Sequence, residues 1–413
     1  MALAFKRHQL SNGLRVIIHE DSSTPLASCN VVYCAGSRDE HPDMTGMAHL
    51  FEHFMFTGSK HVPDYDTQLQ KAGGFNNAYT TQDITHYYIT LPAENIEFAL
   101  WIESDRMLEL SFTQEKLDIQ KHVVIEEFKE NFLNQPYGDK WLLFNQLLYK
   151  NHPYQWLPIG KEISHIEKVT MTDMKDFFYR YYRPNNAVLT LSGNIREEEV
   201  LPLVEKWFGD IPSGKPVSKE FPHEETQNKA RFAEYERDVP ADMLMKAWPM
   251  CGRLEPDFFA YDLLSDIFGS GQSSYLYKKM VLEEGLFTDL SAYVTGTLDP
   301  GAFVIGGRPA EGISIEEADK RLSDYLYHPD DHFIDEKNLQ KVQNKAESII
   351  LQNEIKIEDR SSAIAVAESY NRAEDLNEEC QRYFAVTEEQ INTLCKGMFK
   401  AERSTTMYYK AKK

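Results

Sequence analysis

Residues 42–58 read PDMTGMAHLFEHFMFTG, and inside them His49-Leu50-Phe51-Glu52-His53 is the stretch from which the rest can be read. Its apolar residues recur at helical spacing, after β-rich runs at 14–19 (LRVIIH) and 28–33 (SCNVVY). On a helix, His49 and His53 stand at i and i+4 and project from one face, close enough to share a metal ion. Glu52 falls beside that place. Zinc held by two neutral imidazoles and one carboxylate keeps a fourth position, where bound water becomes acidic near neutral pH. A neighbouring carboxylate can take that proton as general base and pass it to a leaving amine. The same five residues also fit an ordinary helix with two histidines near a core, so the metal reading needs a third ligand.

Working outward, 71–91 (KAGGFNNAYTTQDITHYYITL) opens with a Gly-Gly turn and continues as Thr- and Tyr-rich strand. The stretches 94–108 (ENIEFALWIESDRML) and 113–132 (TQEKLDIQKHVVIEEFKENF) are amphipathic helices, and 187–195 (AVLTLSGNI) is a strand. Pro, Gly, Ser and charge replace the periodic pattern at 209–228 (GDIPSGKPVSKEFPHEETQN), which reads as a linker. Beyond it the order returns: a strand pair at 230–250, a helix at 255–268, strands at 289–308 and long helices from 315 to 400. This weak repeat lacks the histidines. It suggests an α+β protein of two duplicated halves facing each other, residues 1–208 with the histidines and 229–413 without a metal motif.

A chain of 413 residues can bury more than one core, and 42% hydrophobic with 26% charged residues is ordinary globular composition. The net charge of −21 would repel phosphate backbones and anionic lipid, so neither nucleic acid nor membrane is an expected partner. Five cysteines (Cys29, Cys34, Cys251, Cys380, Cys395) with no CxxC pair argue against a disulfide framework or a thiolate zinc site. The start lacks a continuous apolar run and no later run approaches a membrane span, so the expected location is cytoplasmic.

The third ligand comes from the helix at 113–132, in Gln120-Lys121-His122-Val123-Val124-Ile125-Glu126-Glu127-Phe128. With H-x-x-E-H upstream, the inverzincin signature, this string resembles the M16 (pitrilysin-like) zinc metallopeptidases, among them insulin-degrading enzyme and the mitochondrial processing peptidase. The resemblance runs through GSRDE (36–40), HFMFTGS (53–59), GGFNNAYTTQDITHYY (73–88), YYRPNNAVLTLSGN (181–194) and GSGQSSYLY (269–277). Length favours the short members related to the processing peptidase, and the resemblance implies two homologous α/β-sandwich halves with antiparallel-rich sheets enclosing a chamber, with 1–208 as the zinc-binding catalytic domain.

The family pattern implies His49, His53 and Glu127 as ligands of one zinc ion per chain, Glu52 as general base, and Glu126 as a solvated or outer neighbour. It implies that the strand Asn76-Asn77-Ala78-Tyr79-Thr80 pairs with the backbone of a short, unstructured peptide substrate, by β-augmentation. Phe56 matches the position lining the pocket after the scissile bond, though simple core packing would also explain it. Where many relatives carry an acidic residue seven positions before the zinc glutamate, this chain has Gln120, weakening any helper role in orienting water or ligands. Val281 and Thr288 occupy places where substrate-contacting second halves carry Arg and Tyr, and neither supplies their charged or phenolic donors. The resemblance therefore implies the catalytic subunit of a heterodimer whose homologous partner brings that pair. A homodimer, or a non-catalytic assembly subunit resembling respiratory-complex core proteins, is the alternative.

Overall fold

The computed structural model describes residues 3–328 and 334–412 and forms two compact units. The first holds a six-stranded sheet: β1 (Lys6–Gln9), β2 (Arg15–Glu20), β3 (Leu26–Tyr33), β4 (Phe75–Thr80), β5 (Thr85–Pro92) and β6 (Ala187–Gly193), in the order β1-β2-β6-β3-β5-β4. The second holds β7 (Arg231–Arg237), β8 (Met243–Pro249), β9 (Phe287–Val294), β10 (Ala302–Pro309) and β11 (Thr405–Ala411), in the order β7-β11-β8-β10-β9.

In the first sheet β2 runs parallel to β6 and every other pairing is antiparallel; in the second β7 and β11 make the one parallel pair. Leaving out β1, the two sheets therefore share one topology, with β4 and β9 as equivalent edge strands. This is the α+β repeat that the sequence pattern predicts.

Burial explains the strand sequences. Every residue of β6 is buried, as is β3 beyond its first residue, so both strands are covered on two faces, their apolar residues interrupted by buried Ser28, Asn30, Thr190 and Ser192. Edge strand β4 alternates exposed with half-buried residues.

Four helices matter to the site: α1 (Met47–Phe54), α2 (Tyr65–Lys71), α3 (Ile96–Leu108) and α4 (Gln114–Phe128). Helix α1 starts at Gly46, whose φ of 88° lies in the left-handed region; a Cβ there would come within 2.4 Å of Ile166 and 2.8 Å of the Ile159 carbonyl. Buried Glu40 accepts from Gly46 N at 2.9 Å and Ala48 N at 2.7 Å, placing a carboxyl against the positive end of the helix. Leu50, Phe51 and Phe54 are wholly buried, and the Phe51 ring lies 4.4 Å from Tyr182 and 5.5 Å from Phe177. With that apolar face fixed, His49 and His53 remain half-buried on the other.

The chain is not divided at 209–228 alone. The first unit comprises Met1–Lys129, Trp156–Phe221 and Ile350–Glu378; the second comprises Glu130–Gln155, Pro222–Ile349 and Glu379–Lys413. Two segments thus belong to the unit opposite to their sequence position. The helix Lys140–Leu148 puts Phe144 and Leu148 into the second core with Met245, Val304 and Met407. The helix Ile357–Ser369 packs on β3 and β6, with Ala365 against Val32 and Val188.

Nor is 209–228 a free tether. Gly214 exchanges two hydrogen bonds with the Asn185 side chain, and Lys219 pairs with Asp39. Glu224 accepts from Lys150 N at 2.8 Å, Asn151 N at 2.9 Å and Arg231 Nη2 at 3.1 Å. Polar composition here reflects surface anchoring. Among the described residues no helix is long and apolar enough to cross a membrane.

Candidate active site

Helices α1 and α4 pack against each other in the first unit. Thr113 caps α4, accepting from Lys116 N, and Leu117, Val124, Ile125 and Phe128 form its buried face. That seating leaves Glu127 half-buried at the flank while Glu126 points to solvent and pairs with Lys129 at 2.8 Å.

His49 Nε2 and His53 Nε2 lie 3.2 Å apart, and Glu127 Oε2 lies 3.8 Å from the first and 3.4 Å from the second. Among the described residues these three are the one group of His, Cys, Asp or Glu spaced to hold a metal ion. A triangle with those sides has a point about 2 Å from every corner, and zinc bonds nitrogen and carboxylate oxygen at about 2.0–2.2 Å. The donor set suits a divalent cation in its charges too. Burial, then the neighbouring His53, lower His49 to about 4, which keeps its imidazole neutral near pH 7. The hydrogen bond from His53 holds Glu127 below the usual carboxylate range. One feature departs from the usual metal-site pattern: His49 Nδ1 is buried with no hydrogen-bond partner, where outer groups commonly orient a ligating imidazole.

Glu52, only 9% exposed, has its carboxyl raised by burial, opposed by a hydrogen bond from Thr80 and by His53. Thr80 Oγ1 donates to Glu52 Oε2 at 2.5 Å. A carboxyl raised in this way holds a proton more readily than an ordinary one, which suits a group that must accept a proton and then return it.

Thr80 ends β4, whose other flank is open because, among the described residues, β5 is the one strand paired with it. Along it Asn76, Ala78 and Thr80 are half-buried and Asn77 and Tyr79 exposed, and Ala78 N donates to Asn77 Oδ1 at 2.8 Å. Tyr79 Oη lies 3.1 Å from Nδ1 of buried His86, whose Nε2 reaches Asn30 Oδ1 at 2.8 Å. Phe56 is half-buried, its ring edge-on to Tyr65 at 5.3 Å and 5.3 Å from the Arg106 guanidinium. Gln120 is half-buried two helical turns before Glu127. In the second unit Val281 is half-buried in the π-helical segment Tyr277–Glu283, and Thr288 is exposed on β9, donating to the Arg308 carbonyl at 3.3 Å. Arg308 does lie beside Thr288, but its guanidinium is held by Asp289 at 3.0 Å.

Three contributors escape a reading of the sequence: Thr80 as partner of Glu52, Glu40 at the start of α1, and Arg106 beneath Phe56. The GSRDE string pointed at Glu40 without saying why; the other two depend on contacts between elements that spacing does not reveal.

Comparison with known proteins adds an independent line. The profile described as insulinase (peptidase family M16) matches residues 15–147, and that described as peptidase M16 inactive domain matches 168–346. The zinc protease PqqE of Helicobacter pylori is 26% identical over 412 residues, covering 97% of this chain and 91% of that protein. A probable mitochondrial-processing peptidase subunit beta of Arabidopsis thaliana is 25% identical over 71% of this chain and 57% of its own length. Among solved structures, a protease from Helicobacter pylori superposes with a TM-score of 0.91 at 26% identity, covering 99% of this chain and all of the other. Pitrilysin, at 17% identity and a TM-score of 0.78, shares the fold over 98% of this chain and 45% of its own.

Proposed function

The chain belongs to the M16 family of peptidases, and from that premise we propose that it is a zinc-dependent endopeptidase acting on short, unstructured peptides. The observation that carries the reading is the convergence of His49 Nε2, His53 Nε2 and Glu127 Oε2 within 3.2–3.8 Å of one another, with a buried carboxyl one residue before His53. These three side chains would hold zinc, which when bound acts as a Lewis acid toward water and the scissile carbonyl. Glu52 takes the proton of the attacking water and delivers it to the departing amine. The open edge of β4, from Asn76 to Thr80, pairs with the peptide backbone and sets the scissile bond in line, and the Phe56 ring walls the side chain that follows it. Folded proteins offer no free backbone edge and are poor substrates.

Val281 and Thr288 motivate the further proposal that the chain is the catalytic subunit beside a homologous M16 subunit carrying Arg and Tyr, with a homodimer as the weaker association. A cytoplasmic location accords with five cysteines that are all free thiols. A second reading, a non-catalytic assembly subunit, draws on the description of 168–346 as an inactive domain. Metal analysis together with peptide turnover separates the two. The peptidase binds one zinc per chain and loses turnover but not zinc in Glu52→Gln; zinc-loaded protein that cleaves no peptide, alone or with a homologous subunit, supports the assembly reading.

A further inference from the structure

Glu52 sits on α1 and Thr80 on β4, and one hydrogen bond joins the proton-transfer group to the strand on which the peptide docks. At 2.5 Å the contact has the length of a charge-assisted O–H···O⁻ bond, roughly twice as strong as a neutral one. Among the described residues Thr80 Oγ1 is the one side-chain donor to the Glu52 carboxylate. The strand end that carries this hydroxyl is fixed on its inner side. Thr80 stands opposite Thr85 in the β4–β5 register, their hydroxyl oxygens are 3.5 Å apart, and Thr85 Oγ1 donates to the Ala35 carbonyl at 2.9 Å. The turn that follows is closed by Thr81 N to the Ile84 carbonyl and by Thr81 Oγ1, which accepts from Asp83 N and Ile84 N, both at 3.1 Å. Thr80 is thus the anchored end of an otherwise open edge, and its β-branched side chain has few rotamers in which to turn away.

A carboxylate free to rotate about its last bond spends much of its time misaimed. A hydroxyl fixed on Oε2 sets the plane of the group and leaves Oε1 for the attacking water. A peptide paired along β4 converts an edge strand into an inner one and fixes its pleat, and with it the direction of the Thr80 side chain. Binding energy gained well away from the scissile bond then reaches the proton acceptor and raises kcat rather than merely lowering KM.

We propose that Thr80 is a positioning residue that couples peptide docking on β4 to the aim of the Glu52 carboxylate, so that longer peptides are turned over faster as well as bound more tightly. The inference rests on the peptidase reading above and deepens it. A purely structural tie between α1 and β4 would not make kcat depend on peptide length.

The test uses the zinc-loaded full chain and a series of peptides sharing one scissile bond, from a short form to one long enough to run along Asn76–Thr80. The variants are Thr80→Val, which keeps the shape without the hydroxyl, and Thr80→Ser, which keeps the hydroxyl. We expect Thr80→Val to retain full zinc, to lose about 10- to 100-fold in kcat on the longest peptide with KM within about twofold, and to lose the rise of kcat with length seen in the wild type. Thr80→Ser keeps kcat within about threefold and keeps the length dependence. Should Thr80→Val not fold, Thr80→Ala carries the same expectation. Wild-type kcat and length dependence in the hydroxyl-free variant, or equal losses in Thr80→Val and Thr80→Ser, would overturn the proposal while leaving the peptidase reading standing. A wild-type protein that holds zinc and cleaves none of the peptides, either alone or with a homologous subunit carrying Arg and Tyr, overturns both.

Discussion

Arg106 and Glu103, one helical turn apart on α3, form a bidentate ion pair at 2.6 and 2.9 Å with only 1% of either side chain exposed. The guanidinium is ringed by Tyr87 at 4.5 Å, Tyr65 at 4.8 Å and Phe56 at 5.3 Å, and the Tyr65 hydroxyl donates to Glu103 at 2.9 Å. A paired charge under three ring faces is stable where a lone one is not.

Breaking the pair from one side is therefore expected to cost more than removing it whole. Glu103→Leu leaves a buried, uncompensated guanidinium and should destabilise the fold by about 3–5 kcal/mol. The double variant Glu103→Leu, Arg106→Met should recover a large part of that loss. Urea denaturation of the wild type, Glu103→Leu, Arg106→Met and the double variant gives the comparison; additive losses would mean that the pair is not coupled.

Zinc content separates the roles assigned around α1 and α4. His49→Ala and His53→Ala should each abolish stoichiometric zinc, and Glu127→Gln should reduce it strongly, since each removes a converging donor atom. Glu126→Gln should change nothing, because that side chain pairs outward with Lys129. Zinc retained after removing both histidines would exclude the site, and loss in Glu126→Gln without loss in Glu127→Gln would exchange the glutamates.

Much of this was legible before any coordinates. The i, i+4 histidines, the helix bearing Glu127 and the return of the strand–helix order after residue 228 all follow from periodicity, because buried faces impose it. The strand at Lys6–Gln9, the strand at Thr405–Ala411 and the helix Lys140–Leu148 were not foreseen. The first is a four-residue strand paired with its neighbour β2, too short and polar to show a pattern, and the second is terminal and takes its place from β7 and β8, distant in sequence. The grouping of Ile357–Ser369 with the first unit also escaped notice. Its attachment rests on Ser361 bonding Asn30 at 2.7 Å and on Arg360 pairing with Asp21, contacts across more than 300 positions that no local pattern announces.

That attachment has a pH signature. The Ser23 hydroxyl and N–H together with the Arg360 guanidinium hold the mostly buried Asp21 carboxyl down at about 2, against an ordinary value of 3.8. The folded value is depressed, so the stabilisation is present above the unfolded value and is lost as pH falls through the folded one. Asp21→Asn should be less stable than the wild type by ~2 kcal/mol near pH 7, with the difference shrinking between about pH 4 and pH 2. Parallel stability curves across that window would show that the carboxylate contributes nothing.

The open edge of β4 should reveal itself in substrate binding. Ala78→Pro removes the backbone N–H of a residue central to that edge and adds a ring beside it. We expect KM to rise at least tenfold or cleavage to vanish, with zinc content unchanged, since a lost backbone pairing and a steric block together exceed about 1.4 kcal/mol. Steady-state kinetics with metal analysis decides it, and an unchanged KM would move the docking strand elsewhere. Efficient degradation of a stably folded protein would count equally against edge pairing.

The last prediction concerns what the second unit lacks. Val281 is an apolar side chain in the π-helical segment before β9, and the Thr288 hydroxyl is turned to the Arg308 carbonyl, so neither offers a strong donor to a peptide carbonyl. Arg308 does not substitute, because Asp289 takes its guanidinium. Missing donors of this kind should cost on the order of 2–4 kcal/mol of transition-state stabilisation, ~30-fold to ~1000-fold in rate. The purified chain should accordingly be weakly active, and a homologous subunit carrying Arg and Tyr at the corresponding positions should restore turnover. Peptide cleavage by the chain alone, by its mixture with such a subunit, and by the double variant Val281→Arg, Thr288→Tyr gives three arms. Restoration by the partner with no gain in the double variant would mean that the partner contributes more than those two side chains. Full kcat/KM from the isolated chain, unchanged by the partner, would establish that it works by itself and that the Arg/Tyr pair is dispensable here.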